Sequence, residues 1–312
     1  MMNLFRKSRF AKPQHIPSCF KMSAAWWRDP DSPLIFSSMN VDMTNALAWI
    51  TALRERTGEV VTVTHLCTKI LGMVLRKYPQ INAKVEGNRI LRRKTADVVL
   101  MVSLDSGDDI SAIKVADADG KNILELSREI RAGAIAVREN RGPHFQVSKD
   151  LVNHCSISFT KAIVKIASFF VNRIGLDFTR LGFPDDPFGS AVISSVNMHG
   201  IESAYGPLIP VGRCGFLLVL PEIKDRPWVE DGKLVVRPVL KLCMTFDHRI
   251  FHGYYVSLVE NEIRRLLQNP EEVLEGRRLS QERGKLCVLG KSHETSRREG
   301  GEEEELLAGC GS

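Results

Sequence analysis

The chain has 312 residues, of which 44% are hydrophobic and 26% charged, a composition typical of a globular protein with a substantial core. The net charge of +6 is small for this length, and the basic residues are scattered, whereas nucleic-acid binding favours a clustered basic stripe with interleaved aromatics. No stretch reaches the roughly 18 apolar residues of a membrane span. We therefore expect neither a nucleic-acid partner nor a membrane partner.

The first part of the chain predicts an irregular arm that leads into a strand and a helix. Residues 1–33 are basic and contain four prolines, which interrupt regular secondary structure. The pattern over 35–41 predicts a strand. Asp42 or Thr44 can cap the helix that follows.

Two further helices and two strands follow from the same periodicities. Thr62 or Thr64 can cap a helix whose apolar residues recur at helical spacing. The run 97–104 is apolar almost throughout, and 110–115 predicts another strand. A helix over 124–137 is expected to direct three apolar side chains inward, namely Leu126, Ile130 and Ile135.

The second half of the chain predicts closely spaced strands and a polar end. Three strands are expected, at 190–197, 213–220 and 234–246. Asp231-Gly232 suits the hairpin turn before the last of them. Residues 276–312 are charged and poor in aromatics, which predicts a disordered tail. Nothing between 36 and 274 is typical of a linker, so we expect a single domain, over 34–275.

The seven cysteines show neither a Cys-x-x-Cys pair nor zinc-like spacing with histidines. Scattered free cysteines favour a reducing compartment. The basic first residues lack the apolar stretch of a signal peptide. We therefore expect a cytoplasmic protein.

His248 follows the last predicted strand at the point where an amphipathic helix begins. Leu240, Leu242, Met244 and Phe246 alternate along that strand, and apolar residues then recur at helical spacing until Asn269-Pro270 stops the helix. A histidine at such a joint projects from a rigid element, and an imidazole can take and return a proton near neutral pH. The position therefore predicts a catalytic base.

The same residues resemble a known motif. Asp247-His248-Arg249 together with Gly253 is similar to the His-Arg-x-x-Asp-Gly signature of 2-oxo-acid dehydrogenase complex acyltransferases, the dihydrolipoamide acyltransferase family. Three further segments resemble that family in the same order, namely 61–82, 189–197 and the hairpin 224–238. The resemblance covers residues 36–274 and identifies 34–275 as an acyltransferase catalytic domain.

The resemblance implies a fold and an activity. The expected fold is a chloramphenicol acetyltransferase-like two-layer α/β sandwich, a mixed sheet with helices on one side, assembled as a homotrimer or a larger cubic core. The implied activity is CoA-dependent transfer of an acyl group between CoA and a thiol such as dihydrolipoamide. By motif position His248 is the general base and Ser194 the oxyanion donor, facing each other across a subunit interface. The sequence shows no lipoyl-bearing Asp-Lys-Ala turn, so we expect a lipoyl-domain protein to supply the lipoyl group in trans.

Two departures from the family pattern leave alternatives open. His252 stands at the third site position that the resemblance implies, in place of the Asp or Asn of the signature, and an imidazole cannot supply a permanent negative charge. Ser195-Val196-Asn197 replaces Asn-Leu-Gly after Ser194. One alternative is therefore a catalytically impaired homologue that forms an oligomeric core, and another is an acyltransferase acting on a different small acceptor. His248 and His252 lack a third ligand, so no metal site is expected.

Residues 142–188 are longer than the family's usual connection and contain an apolar run between Ile163 and Val171. They predict a helical insertion that packs as additional core or against another subunit. The alternative is a lid or a wall of an acyl-chain pocket, since small-molecule sites are lined mainly by apolar side chains.

Overall fold

The computed structural model describes residues 33–86, 89–103, 110–139, 186–209 and 212–273. Its strands are β1 (Leu34–Asp42), β2 (Ala83–Glu86), β3 (Arg89–Arg92), β4 (Val98–Ser103), β5 (Ile110–Val115), β6 (Ala191–Ser195), β7 (Phe216–Leu220), β8 (Lys224–Glu230) and β9 (Lys233–Asp247). Its helices are α1 (Thr44–Thr57), α2 (Val63–Lys77), α3 (Ile123–Arg138) and α4 (Gly253–Gln268), with a short 3₁₀ turn at Asn197–His199. The expected arm apart from Pro33, the expected tail and most of the 142–188 insertion lie outside these ranges.

Seven of the described strands form one mixed sheet. Six of them follow the order β1-β9-β7-β6-β4-β5, and β8 pairs with the first half of β9, beyond the segment of β9 that pairs with β7. β6 runs parallel to β4 and β7, whereas the other neighbours in the sheet are antiparallel. β2 and β3 form a separate hairpin. The mixed sheet predicted from the resemblance is therefore confirmed.

The described helices pack on one face of the sheet, which confirms the predicted two-layer arrangement. The side chains of β9 show the two faces, because successive side chains of a strand point to opposite sides of the sheet. Leu240, Leu242 and Met244 join the main core with α2 and α4. Cys243 belongs instead to a smaller apolar cluster on the opposite, helix-free face, together with Val99, Val192, Cys214, Leu217 and Val219.

Several boundaries and one core residue differ from the prediction. The strands expected over 190–197 and 213–220 are shorter, Ala191–Ser195 and Phe216–Leu220. The prediction that Ile135 points inward is wrong, since this residue is 54% exposed. It lies five residues after the buried Ile130, which rotates it by roughly 140° around the helix axis. Val137 continues the buried stripe in its place.

The start of α1 also departs from the two expected caps. The N-cap position is Met43, which is buried and has no side-chain capping bond. Asp42 still contributes, because its carboxylate accepts hydrogen bonds from the Thr44 backbone N–H at 2.9 Å and the Thr44 hydroxyl at 2.6 Å.

α2 begins with a cap that involves a buried histidine, and the predicted alternative of Thr62 is confirmed. The Thr62 hydroxyl accepts from the His65 backbone N–H, and His65 Nδ1 accepts from the Thr62 backbone N–H, each at 3.3 Å. This arrangement requires a neutral imidazole, because a protonated ring has no acceptor. Burial, assisted by the charge of Arg131, lowers the pKa of His65 to about 4.

We expect His65 to reduce the free energy of unfolding by about 2 kcal/mol between pH 7 and pH 5. Its folded-state pKa lies below the ordinary value of 6.5, so the unfolded chain binds more protons in this window. The stabilisation is complete above pH 6.5 and is lost as the pH falls towards 4. Urea unfolding of wild type and His65→Gln at both pH values tests this, since glutamine can keep the capping box without titrating. Equal pH dependence in the two proteins would contradict it.

Candidate active site

His248 lies on a turn that the end of β9 fixes in place. The Asp247 backbone N–H donates to the carbonyl of Gly215 at 3.0 Å. The Asp247 carbonyl in turn accepts from the N–H groups of Ile250 at 2.9 Å and Phe251 at 2.8 Å. Asp247, Ile250 and Phe251 are buried, whereas His248 is exposed. The turn therefore presents the imidazole to solvent from a backbone that is hydrogen-bonded on both sides.

Three aromatic rings hold this turn against the core. Phe216 of β7 and Phe246 of β9 stack with ring centroids 4.6 Å apart, and Phe251 packs against them at 5.9 and 4.9 Å. Gly215 permits this close packing, because a Cβ atom there would lie 3.2 Å from Ile250 and 3.3 Å from Phe251. Buried aromatic contacts of this kind restrict the movement of the segment that carries His248.

Asp247 and Arg249 form an ion pair across His248. The Asp247 carboxylate accepts the Arg249 backbone N–H at 3.0 Å and the guanidinium at 2.6 and 2.9 Å. The Asp247 carboxylate raises the pKa of Arg249, so the guanidinium stays charged. Because the two residues flank His248, their pairing fixes the backbone on each side of the imidazole.

His252 lies beside His248 at the start of α4. The two ring centroids are 5.4 Å apart and the rings meet edge to face at 68°. His252 occupies the N-cap position of the helix, yet its side chain makes no capping hydrogen bond, and the first turn contains no acidic residue. The structure thus brings together two of the three predicted site residues.

Replacing His252 by asparagine is expected to raise the free energy of unfolding by about 0.5–1 kcal/mol. An asparagine oxygen at the N-cap can accept from the unpaired N–H groups of the first turn, which His252 does not do. The urea midpoint should rise while the slope of the transition stays unchanged. His252→Ala serves as the control without an acceptor, and an asparagine variant no more stable than the alanine variant would refute the prediction.

Ser194 lies near the end of β6 on the helix-free face of the sheet. It is partly buried and pairs in register with Met101 of β4 and Val219 of β7. Its hydroxyl has no hydrogen-bond partner among the described residues, so it remains able to donate to a bound group. The next residue, Ser195, instead donates to the Asn197 side chain at 3.1 Å.

The hydroxyl of Ser194 borders an apolar pocket of about 140 Å³. The other described residues that line it are Met101, Phe188, Val192, Pro207, Leu208, Ile209, Cys214 and Leu217. The sequence did not predict this pocket, because strands with both faces apolar give no signal for where a cavity opens. Phe188, the last residue of the expected insertion, is among the residues that line the pocket.

Cys214 is the one thiol among the described residues of this pocket, but it is unsuited to nucleophilic chemistry. It is 4% exposed, and burial raises its pKa to about 11. The thiolate is the nucleophilic form of cysteine, so a thiol that stays protonated at neutral pH acts as a packing residue. Ser194 is then the polar group of the pocket with a chemical role available to it.

Within one chain, Ser194 and His248 lie towards opposite ends of the strands of the sheet. Ser194 is level with Val219 and, through β7, with Cys243 of β9. The strand β9 runs on for four more residues to Asp247, roughly 13 Å in the direction away from the end of β6. The two side chains therefore cannot share one substrate atom within a single protomer.

The described ranges were compared with the requirements of a metal site and of a membrane-spanning helix. There, no group of three or more His, Cys, Asp or Glu side chains is arranged to hold a metal ion. Of the helices in the same ranges, none combines the length and the apolar character needed to cross a bilayer.

Comparison with known proteins gives a consistent result. Residues 21–150 and 183–275 match the family described as 2-oxoacid dehydrogenases acyltransferase (catalytic domain). A Staphylococcus epidermidis protein, the dihydrolipoyllysine-residue succinyltransferase component of the 2-oxoglutarate dehydrogenase complex, is 26% identical over 244 residues, which cover 75% of this chain and 47% of the relative. The chain thus spans about half the length of such curated relatives.

Solved structures show the same fold at low sequence identity. The Azotobacter vinelandii dihydrolipoamide acetyltransferase aligns with a TM-score of 0.58 and 18% identity, covering 86% of this chain and 96% of that one. The cubic core of a pyruvate dehydrogenase multienzyme complex gives the same values. A probable dihydrolipoamide acetyltransferase from Listeria monocytogenes aligns with a TM-score of 0.57 and 19% identity, covering 83% and 95%.

Proposed function

Because this chain belongs to the family of 2-oxoacid dehydrogenase acyltransferase catalytic domains, we propose that it transfers an acyl group between CoA and a thiol acceptor. Dihydrolipoamide is the acceptor that the family suggests, supplied in trans by a lipoyl-domain protein. CoA and its acyl thioester are substrates in this reaction and not resident cofactors.

The placement of His248 is the observation that carries the proposal. An exposed imidazole on a turn held by buried neighbours is suited to receive a proton from a substrate, since a general base must stand at a fixed position. The Azotobacter vinelandii enzyme has been studied for the catalytic roles of a serine, a histidine and an asparagine four positions after the histidine. Ser194, His248 and His252 supply a similar set here, with an imidazole in place of the amide.

The proposed step begins when His248 takes the proton from the acceptor thiol. The resulting thiolate sulfur attacks the carbonyl carbon of the acyl-CoA thioester, and the carbonyl oxygen becomes an oxyanion. The hydroxyl of Ser194 donates a hydrogen bond to that oxygen. Collapse of the intermediate breaks the bond to the CoA sulfur, which leaves with the proton that His248 returns.

We propose a homotrimer or a larger assembly as the functional form. The opposite positions of Ser194 and His248 support this, because a complete site then requires residues from two protomers. The β8–β9 hairpin also supports it, since Val229, Leu234 and Val236 are 70–75% exposed, and exposed apolar patches often mark interfaces.

The free thiols of Cys67, Cys214 and Cys243 favour a reducing compartment, and we propose the cytoplasm.

His252 favours a second candidate, an oligomeric core with impaired catalysis. An amide or carboxylate at this position can brace the site, whereas an imidazole holds its hydrogen-bonding groups at different points of a larger ring. Catalytic turnover separates the two candidates, because a purely structural homologue assembles without transferring an acyl group.

The direct test measures CoA release from acetyl-, propionyl-, isobutyryl- and succinyl-CoA in the presence and absence of dihydrolipoamide. We expect release that depends on the thiol. A small hydroxyl or amine acceptor tested alongside examines the remaining alternative. A folded oligomer that transfers no acyl group to dihydrolipoamide from any donor would overturn the proposal.

A further inference from the structure

The pocket beside Ser194 has the position that an acyl chain requires if Ser194 binds the carbonyl oxygen. Val192 and Ser194 point to the same face of β6, so an acyl chain whose carbonyl oxygen binds the hydroxyl can lie across Val192. Leu217 of the neighbouring strand and Leu208 of the loop above line the same space. The pocket surface is thus apolar beyond the hydroxyl itself.

Two basic side chains near this pocket, Lys114 and Arg93, are paired with carboxylates. Lys114 pairs with Asp97 at 3.0 Å and donates to the backbone carbonyl of Asp186, also at 3.0 Å. Arg93 makes two hydrogen bonds with the Asp186 carboxylate, at 2.5 and 2.9 Å. Lys241 points to the same face but lies two strands away from β6. None of the described residues that line the pocket carries a charge.

We infer that the acyl group transferred by this chain is short, apolar and preferably branched, with four to six carbons, and that it is not succinyl. This inference rests on the proposed function and names the substrate class of the same site. It departs from the Staphylococcus relatives, which are named succinyltransferases. A cavity of about 150 Å³ accommodates benzene, so about 140 Å³ holds a chain of this size.

Two physical effects set the expected selectivity. Each buried methylene group improves binding by about fourfold, which favours isobutyryl and isovaleryl over acetyl by roughly tenfold or more. A succinyl group would bring its second carboxylate into a pocket whose described lining residues include no cation, and burying an unpaired carboxylate is strongly unfavourable. We expect kcat/KM for succinyl-CoA to be at least about a hundredfold below that for isobutyryl-CoA.

The experiment compares acetyl-, isobutyryl-, isovaleryl- and succinyl-CoA as donors to dihydrolipoamide, and measures the equilibrium binding of each to wild-type protein. Isobutyryl- or isovaleryl-CoA should give the highest kcat/KM and the tightest binding. Selective binding without turnover would overturn the proposed function but support the preference of the pocket for branched acyl groups. Succinyl-CoA that binds or reacts as well as the branched donors would overturn the inference, whatever the rates.

Two substitutions test whether the pocket itself sets the preference. Leu208→Arg introduces a cation from a loop, and we expect the ratio of succinyl to isobutyryl transfer to rise by about tenfold or more. Ile135→Arg, at an exposed position on α3, is the matched control and should leave the ratio unchanged. Met101→Trp should lower isovaleryl transfer by a larger factor than acetyl transfer, because the larger side chain fills the space that the longer acyl group needs. Donor ratios unchanged in both pocket variants would refute the assignment.

Discussion

His248→Ala is expected to lower kcat for acyl transfer to dihydrolipoamide by about 10²–10⁴-fold, the contribution of a positioned general base. Without the imidazole, the acceptor thiol must lose its proton to water, and the leaving CoA thiolate has no proton donor at a fixed position. The exposed imidazole makes no hydrogen bond within the described part of the chain that its removal would break. Far-UV circular dichroism and the oligomeric size should therefore match wild type.

A glutamine variant separates proton transfer from mere positioning at this site. His248→Gln retains hydrogen-bonding groups of similar reach, but an amide cannot take a proton near neutral pH. If His248 acts as the base, both variants lose activity to a similar extent. Activity within a fewfold of wild type in either variant would remove His248 from the proposed mechanism.

The secondary structure was largely predictable because periodicity records which side of an element is buried. β9 and α4 were expected from alternating and helical apolar spacing, and both are present with nearly the expected bounds. Ile135 was misplaced because its spacing was not applied strictly: it lies five residues after Ile130, about 140° away around the helix axis, and it is exposed.

The candidate site was predictable only in part. The local pattern of strand, turn and helix predicted His248 as a site residue, whereas Ser194 was predicted only from the family resemblance. Leu208 and its neighbours in the loop form one wall of the pocket beside Ser194. An irregular loop has no periodicity in its sequence, so its contact with the sheet could not be predicted. The opposite positions of Ser194 and His248 follow from the pairing of β6, β7 and β9, which is long-range information.

Mixed oligomers should recover activity that neither parent variant has. Ser194→Ala is expected to lower kcat by about 10²–10³-fold, the effect of losing one oxyanion donor. Since Ser194 and His248 of one chain lie towards opposite ends of the strands of the sheet, a working site takes one residue from each of two protomers. In oligomers assembled randomly from equal amounts of Ser194→Ala and His248→Ala chains, about a quarter of the interfaces contain both native residues. The mixture should then reach roughly a quarter of wild-type activity, at least tenfold above either variant alone.

The control for this experiment is a chain that carries both substitutions. Co-assembly of His248→Ala with the doubly substituted chain cannot create an interface with both native residues, so its activity should stay at the level of the single variants. Two different affinity tags, purified in sequence, remove the unmixed oligomers, which raises the expected activity of a trimer from about a quarter to about a third of wild type. If correctly mixed oligomers gain no activity over their parents, the two residues do not act at a shared interface. The mechanism would then have to operate with only one of them, and the rate loss of each single variant would show which.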